Sequence, residues 1–509
     1  MKLGIDFGTT RTVVSVLDQG NYPNVSFCTT EGDWMDYYPS LIAVKDNEFL
    51  YGFEAQSVFD NTDWTTIRSV KSFLKHAFKH KTIELRDQTY TITTLITNFL
   101  KQFREDLVYQ SNLEIEDEKI SVSIAVPAHS NNVQRFITAE CFNNAGFEVL
   151  NMINEPSAAT GEYIQSFYKK IKNITKKYLL VYDLGGGTFD ASISEIHDKY
   201  HRIIATEGIE TLGGDQFDEV MAKMVLENLP EKTPLDYADE IRLNEICKLK
   251  KETITPYSKN ILVEWGPQNK EPKIFKLSVK DYYLRCEPLV DETINILESF
   301  FDRVSAQNDI NEFVVYLVGG MANFPLINRK LKTIFGNKTV RKSKYGAFSV
   351  SIGLAAMMDN KYDYILKESL TRYFGLWREG DDGEELVFDP IFQKDQTLPA
   401  KGEVPIVYNR QYSPSHNIGI FRFQECSRIQ DGKPMGMVTV WKKIQFPFDP
   451  SLSGKDLSNV AVNRWDRPAD FNVKETYALN YKGEISVQLT NECNGFTDIF
   501  MLSRMESEE

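Results

Sequence analysis

Long apolar runs are missing from this chain. Stretches such as Phe313-Val314-Val315-Tyr316-Leu317-Val318 have the length of a strand and fall far short of the roughly 20 residues a membrane-spanning helix needs, so no membrane helix and no membrane partner are expected. Cysteine is sparse, and the six residues Cys28, Cys141, Cys247, Cys286, Cys426 and Cys493 include no Cys-x-x-Cys pair. That excludes the usual zinc-knuckle and dithiol patterns and suits isolated, reduced thiols. Histidine is equally sparse, also with six residues. One pair four apart, His197 and His201, falls in a stretch that reads as a hairpin turn, where residues four apart share no face, so a helical metal site is not expected there. Positive charge is not in excess either: 58 Lys and Arg against 72 Asp and Glu give a net charge of −14. Nucleic-acid binders usually carry the opposite balance, although a local basic patch can hide within an acidic total. The chain passes from Met1-Lys2 directly into an apolar strand, so no signal peptide is expected and the cytoplasm is the expected compartment.

Apolar residues make up 42% of the 509 residues, enough for a large core and too long a chain for one domain. Two short segments repeat one design: Gly4-Ile5-Asp6-Phe7-Gly8-Thr9-Thr10-Arg11-Thr12 and Tyr182-Asp183-Leu184-Gly185-Gly186-Gly187-Thr188-Phe189-Asp190. Each is an apolar strand with an Asp at its end and a Gly/Thr turn into a further strand. Glycine turns let backbone N–H groups converge on a phosphate with no Cβ in the way, and the Asp supplies a hard oxygen for hydrated magnesium. Two such turns suit a polyphosphate clamped from both sides, and the repetition predicts two similar lobes around a cleft.

The first strand pair is expected over residues 3–17, a β-rich stretch over 39–52 and helices over 69–109. A buried strand, 121–127, ends at Pro127 and is followed by a helix over 131–145, closed by Gly146, and a strand over 147–150. The lysine-rich stretch 169–177 marks a lobe boundary. Hairpin strands over 179–205, a long helical region over 215–254, an apolar strand ending in Gly319-Gly320 and a small-residue helix over 349–358 follow, with Gly353 expected to pack closely on the sheet. Beyond a short apolar linker, the pattern becomes strand and turn: Ile485-Ser486-Val487-Gln488-Leu489-Thr490 alternates strictly after a Lys482-Gly483 turn. The expected class is α/β, with two similar lobes at 1–178 and 179–360, a linker at 361–368 and a mostly antiparallel β-sandwich at 369–509. The acidic end, 506–509, reads as a solvated tail.

These motifs carry a resemblance. The two Gly/Thr turns, together with Val126-Pro127-Ala128, Ile153-Asn154-Glu155-Pro156, Leu212-Gly213-Gly214-Asp215-Gln216-Phe217-Asp218 and Val318-Gly319-Gly320, resemble in order and spacing a DnaK-type chaperone of the seventy-kilodalton heat-shock family, within the actin-like ATPase superfamily. The resemblance implies ATP and ADP as ligands, with magnesium held mainly through waters near Asp6 and Asp183. It places the β- and γ-phosphates against Thr9, Thr10, Gly186 and Gly187, with Gly8, Arg11 and Gly185 as further cofactor contacts, and the catalytic roles on Lys71, Glu155, Asp183 and Thr188. It also implies nucleotide contacts from Gly213, Gly214, Lys251, Thr255, Gly319, Gly320 and Asn323. In such a site Lys71 neutralises charge building in the transition state and Glu155 and Asp183 orient the attacking water. Pro127 and Arg135 match a relay to the other domain. Hydrolysis in this family is slow, and the implied function is an ATP-dependent chaperone in which nucleotide state changes the grip of the β-sandwich on unfolded or partner protein segments.

Several positions depart from the family pattern. The arginine that stacks on adenine is replaced by Asn323, an acidic residue by Ala347, and an acid on the ribose-contacting helix by Lys248. A carboxamide covers a purine face less well than a guanidinium, so base affinity is expected to be reduced. Asn151 stands at a basic position used to receive a J-domain, the linker Tyr364-Ile365-Leu366-Lys367-Glu368 exchanges an acid for lysine, and about 20 residues follow Thr490 where a helical lid is usual. A nucleotide-exchange factor and a J-domain co-chaperone are the implied partners. The competing reading is a nucleotide-sensing scaffold with little hydrolysis that binds one dedicated partner. A small-molecule kinase and a filament-forming actin relative share the phosphate turns but not the β tail. Phe421 and Phe423 alternate as core residues of that tail.

Overall fold

The repeat in the sequence becomes two sheets of one design. The computed structural model describes residues 1–59, 61, 63–76, 82–85, 88–115, 119–128, 130–171, 177–197, 200–229, 237–267, 270–359, 365–380, 383–441, 443–465 and 470–502. In the first sheet β1 (Lys2–Phe7) pairs antiparallel with β2 (Arg11–Val16), which in turn meets β3 (Tyr38–Pro39); on its other side β1 runs parallel to β4 (Ser121–Val126), and β4 to β5 (Glu148–Asn154). In the second, β6 (Lys177–Leu184) pairs antiparallel with β7 (Phe189–His197), which neighbours β8 (Tyr200–Ile209). β6 also runs parallel to β9 (Phe313–Val318), and β9 to β10 (Val340–Lys342). Both central strands, β1 and β6, are near-continuous apolar runs because both faces are covered.

The chain divides into two units. The first comprises Met1–His129, Ile137–His201 and Ala205–Tyr364, and the second Ser130–Phe136, Arg202–Ile204 and Ile365–Glu509. In the first unit, α1 (Ile92–Tyr109) turns Phe99, Phe103 and Leu107 into the core, and α2 (Asn132–Asn144), which belongs to this unit from Ile137 onward, ends before Gly146, whose φ of +89° suits glycine. Helix α3 (Glu155–Ile171) lays Ala159, Tyr163 and Ile164 on the second sheet against Val181, Val314 and Tyr316. The small-residue helix α8 (Ser349–Met357) lies on the first sheet, where a Cβ on Gly4 would come 2.2 Å from the Ser351 carbonyl oxygen. Gly353 does not face that sheet, as its small size had suggested. It faces α3, and a Cβ there would lie 1.8 Å from the Ala158 carbonyl oxygen, so α3 and α8 cross backbone against backbone.

Two helical expectations need correction. Among the described residues between 69 and 109 only Val70–His76, a 3-10 segment, and α1 are helical; a hairpin of Thr82–Leu85 and Gln88–Thr91 intervenes, its Thr, Ile and Tyr residues preferring extended backbone. The long helical region over 215–254 is two helices, α4 (Gly214–Glu227) and α5 (Tyr237–Glu252). Residues 172–176, 361–364 and 506–509, where part of the lobe boundary, part of the linker and the acidic tail were expected, lie outside the described residues. His197 ends β7 and His201 lies in β8, so the pair shares no helix face. All six cysteines are free thiols. Among the described residues no helix is long and apolar enough to cross a membrane.

The second unit is built on two four-stranded antiparallel sheets. One joins Glu385–Phe392, Tyr373–Gly380, Phe423–Gln430 and Lys433–Val440; the other joins Ile406–Tyr412, Val473–Leu479, Ile485–Asn491 and Thr497–Met501. Their inner faces share one core that includes Phe374, Phe421, Phe423, Trp441, Tyr477 and Val487, the arrangement of a β-sandwich. Gly483 turns the last long hairpin at φ +76°. Within this unit Arg135 forms an ion pair with Glu368 at 3.9 Å, and the Ser369 hydroxyl donates to the Ile203 carbonyl at 2.6 Å.

Candidate functional site

The turn between β1 and β2 is short and crowded. Gly8 N–H donates to the Asp6 carbonyl at 3.0 Å, and a Cβ on Gly8 would sit 2.3 Å from the Arg11 carbonyl oxygen. Ser40 latches this turn: its hydroxyl donates to the Gly8 carbonyl at 2.9 Å and its N–H to the Thr10 carbonyl at 3.2 Å. The turn between β6 and β7 closes with Gly185 N–H on the Thr188 carbonyl at 3.0 Å. The start of α4 braces it, since Gly214 N–H donates to the Gly185 carbonyl at 2.9 Å and Asp215 N–H to the Gly186 carbonyl at 2.8 Å. A Cβ on Gly213 would come 2.5 Å from the Gly187 nitrogen, so only glycine permits this stacking.

The two turns meet face to face. A Cβ on Gly186 would lie 2.7 Å from the Thr10 hydroxyl, and one on Gly187 3.1 Å from the Thr9 methyl. Beside them Lys71, in its 3-10 segment, forms an ion pair with Glu155, the first residue of α3, at 2.6 Å. Asp6 and Asp183 complete the floor. Gly319, at φ +83°, passes so close to Asp183 that a Cβ would meet its carboxylate at 2.4 Å, whereas a Cβ on Gly320 would face open space.

Negative charge outweighs positive here. Burial, then the neighbouring Glu155, pushes the Asp6 carboxyl up to about 7 against the opposing pull of Lys71. Asp183 is raised well above the carboxylate range by burial, then by Glu155, Asp190 and Asp6. Burial draws the Lys71 ammonium down, but Glu155 and Asp6 outweigh it and leave its pKa raised. Four carboxylates around one ammonium form a donor set short of cationic charge, which fits a divalent ion. Among the described residues no three His, Cys, Asp or Glu side chains are spaced to chelate a bare ion directly.

The remaining residues singled out in the sequence are spread over the first unit. Lys251 is buried, its ammonium 2.8 Å from Asp218 and donating to the Gly214 carbonyl at 2.7 Å. Burial raises the Asp218 carboxyl to about 6 against the pull of Lys251. Thr255 lies in the turn after α5, sharing its hydroxyl with Ser258 at 3.1 Å. Arg11 leaves its own turn to pair with Glu252 at 2.9 Å and to stack over the Tyr37 ring at 4.1 Å. Asn323 ends the 3-10 segment Gly320–Asn323, and its carboxamide oxygen accepts from Lys342 at 3.0 Å. Lys248 lies 3.6 Å from Glu245, which also pairs with Arg68. Ala347 sits in the 3-10 segment Gly346–Phe348, and Asn151 within β5.

Reading the sequence missed Asp190 and Ser40. Asp190 was visible as the last letter of the second glycine motif, paired across the hairpin with Asp183. Ser40 gave no local signal, because its partners lie some thirty residues away.

Comparison with known proteins points to one family. Residues 2–359 match the family model described as Hsp70 protein. Curated relatives include the chaperone protein DnaK of Thermosipho africanus (strain TCF52B) and that of Thermosipho melanesiensis (strain DSM 12029 / CIP 104789 / BI429). Each is 29% identical over 425 residues, covering 78% of this chain and 66% of the relative. With the paired glycine turns and the family match in agreement over the first unit, the chain belongs to the Hsp70 protein family.

Proposed function

We propose that this chain is an ATP-dependent, chaperone-like protein that binds and slowly hydrolyses ATP between the two glycine turns and uses nucleotide state to alter how its β-sandwich holds protein segments. The observation that carries this reading is the face-to-face approach of Thr9 and Thr10 to Gly186 and Gly187 beside a buried carboxylate cluster. Backbone N–H groups and threonine hydroxyls would cradle the phosphates. Asp6 and Asp183 would hold hydrated magnesium, which supplies charge neutralisation at the β- and γ-phosphates when bound.

In this reading Glu155 and Asp183 orient a water, Lys71 stabilises charge accumulating on the γ-phosphate, and Thr188 contacts that end of the nucleotide. The ion pair with Glu155 holds the Lys71 ammonium in place before substrate arrives, as electrostatic preorganisation requires. Gly213, Gly214, Lys251, Thr255, Gly319, Gly320 and Asn323 would line the ribose and base side. The proposed organisation is two ATPase lobes, 1–178 and 179–360, a linker at 361–368 and the sandwich at 369–509. A cavity of about 710 Å³ in the second unit, lined in part by Trp377, Phe388, Tyr412 and Ile418, is where we place a client side chain. A nucleotide-exchange factor and a J-domain protein are the proposed partners, the latter weakened by Asn151.

A second reading, a nucleotide-sensing scaffold with little hydrolysis and one dedicated partner, draws on the base end. There Asn323 stands at the arginine position with its carboxamide oxygen taken by Lys342. Nucleotide binding and single-turnover hydrolysis with magnesium, for wild type, Lys71→Ala and Asp183→Ala, separate the two. Slow hydrolysis that collapses in Lys71→Ala supports the chaperone reading. Binding without hydrolysis, unchanged in Lys71→Ala, supports the scaffold, and no binding overturns both.

A further inference from the structure

A second concave feature opens beyond the base end of the site, in the first unit. It is a groove of about 1180 Å³ between the first turns of α6 (Val279–Ser305), helix α7 (Pro325–Phe335) and the segment 256–259, and it includes Ala322 and Asn323. Its charge runs against that of the chain as a whole. Lys259, Lys280, Arg329, Lys332 and Lys342 line it, with Glu287 as its only lining carboxylate among the described residues. Glu287 is engaged outside this set, 2.6 Å from Lys330, which also holds Asp291 at 2.5 Å. Lys342 donates to Asn323. Lys259, Lys280, Arg329 and Lys332 have no ion-pair partner among the described residues.

In a chain of net charge −14 this is a concentrated island of positive charge. Converging cations repel one another, and an anion that enters relieves the repulsion while gaining charge-assisted hydrogen bonds from several directions. The groove also has an apolar wall, with Tyr283 half-buried and Leu284 66% exposed. An inorganic ion would leave that wall wet, whereas a ligand with a ring or carbon skeleton beside its phosphates would cover it. At about 1180 Å³ the groove is somewhat larger than the roughly 300–1,000 Å³ of a typical small-molecule site, with room for a ligand of nucleotide size. None of the residues assigned to phosphate binding in the cleft contributes to it.

We infer that this groove is a second anion site that takes a phosphate-bearing ligand of nucleotide size. The test is calorimetric titration of the full chain with sodium tripolyphosphate in magnesium-free, low-salt buffer. Wild type, Lys280→Glu/Arg329→Glu and Gly186→Val are compared, with thermal melting to confirm folding and Lys332→Ala as a milder groove variant. The expected result is saturable binding that weakens at least about tenfold in the double variant, weakens in part in Lys332→Ala and persists in Gly186→Val. Because Gly186→Val obstructs the cleft turn, this outcome does not depend on whether the cleft holds nucleotide. The proposal is overturned if wild type does not bind, if the double variant binds as tightly as wild type, or if poly-glutamate binds at the same residues more tightly, which would assign the groove to an acidic polypeptide.

Discussion

Lys71 and Glu155, 84 residues apart in sequence, form a buried ion pair with Nζ 2.6 Å from Oε1. Removing one partner of such a pair strands the other's charge. Lys71→Ala is therefore expected to lower stability by about 1–3 kcal/mol and single-turnover hydrolysis by about a hundredfold or more, with nucleotide still bound. Adding Glu155→Gln should recover much of the stability without restoring hydrolysis. Equal recovery of both would make the pair structural only.

The glycines of the site differ in what each position tolerates. A Cβ on Gly186 would press on the Thr10 hydroxyl at 2.7 Å, whereas one on Gly320 would meet nothing within 4 Å. Gly186→Ala should weaken nucleotide binding at least about tenfold, and Gly320→Ala should leave the fold within about 0.5 kcal/mol of wild type. Nucleotide Kd and denaturant unfolding of both variants check this. A Gly186→Ala protein that binds as wild type would mean that the turns separate freely.

The α3–α8 crossing has no slack. Because a Cβ on Gly353 would overlap the Ala158 carbonyl oxygen, Gly353→Ala is expected to cost about 2–4 kcal/mol, and Gly4→Ala to be damaging through the Ser351 carbonyl on the other side of α8. Hydrogen exchange along Glu155–Ile171 and Ser349–Met357 should rise first. Exchange confined to the second unit would contradict this placement.

What the sequence disclosed follows the range of the interaction. Both glycine turns were legible because a turn is local: Gly8 and Gly185 each close theirs within a few residues. The sandwich was legible from strict alternation in segments such as Ile485–Asn491. Lys71 came only through resemblance, since nothing near it in the chain announces Glu155. Small residues at Gly353 announced a close approach without saying to what, so the sheet was expected where α3 is found. The hairpin at Thr82–Thr91 was read as helix because four-residue strands carry too little periodicity to stand out. Arg11 was read as a cofactor contact from its place in the first turn, whereas its pairing with Glu252, 241 residues on, had no local signal.

His201 gives the fold a built-in acid sensitivity. It lies in β8 at 1% exposure, and burial lowers its pKa from the ordinary 6.5 to about 4. The folded state thus keeps the ring neutral down to about pH 4, while the unfolded chain protonates near pH 6.5. The unfolded state binds more protons between those values, so stability falls as pH drops through that window, and below it the loss is complete. The difference of about 2.5 pH units corresponds to about 3 kcal/mol. Above pH 6.5 His201 is neutral in both states and contributes no pH dependence. His201→Phe keeps a ring of similar size without a proton site. Thermal melting at pH 7.5 and 5.0 should show a smaller acid-induced drop for this variant than for wild type, whereas equal drops would assign the acid sensitivity to other groups.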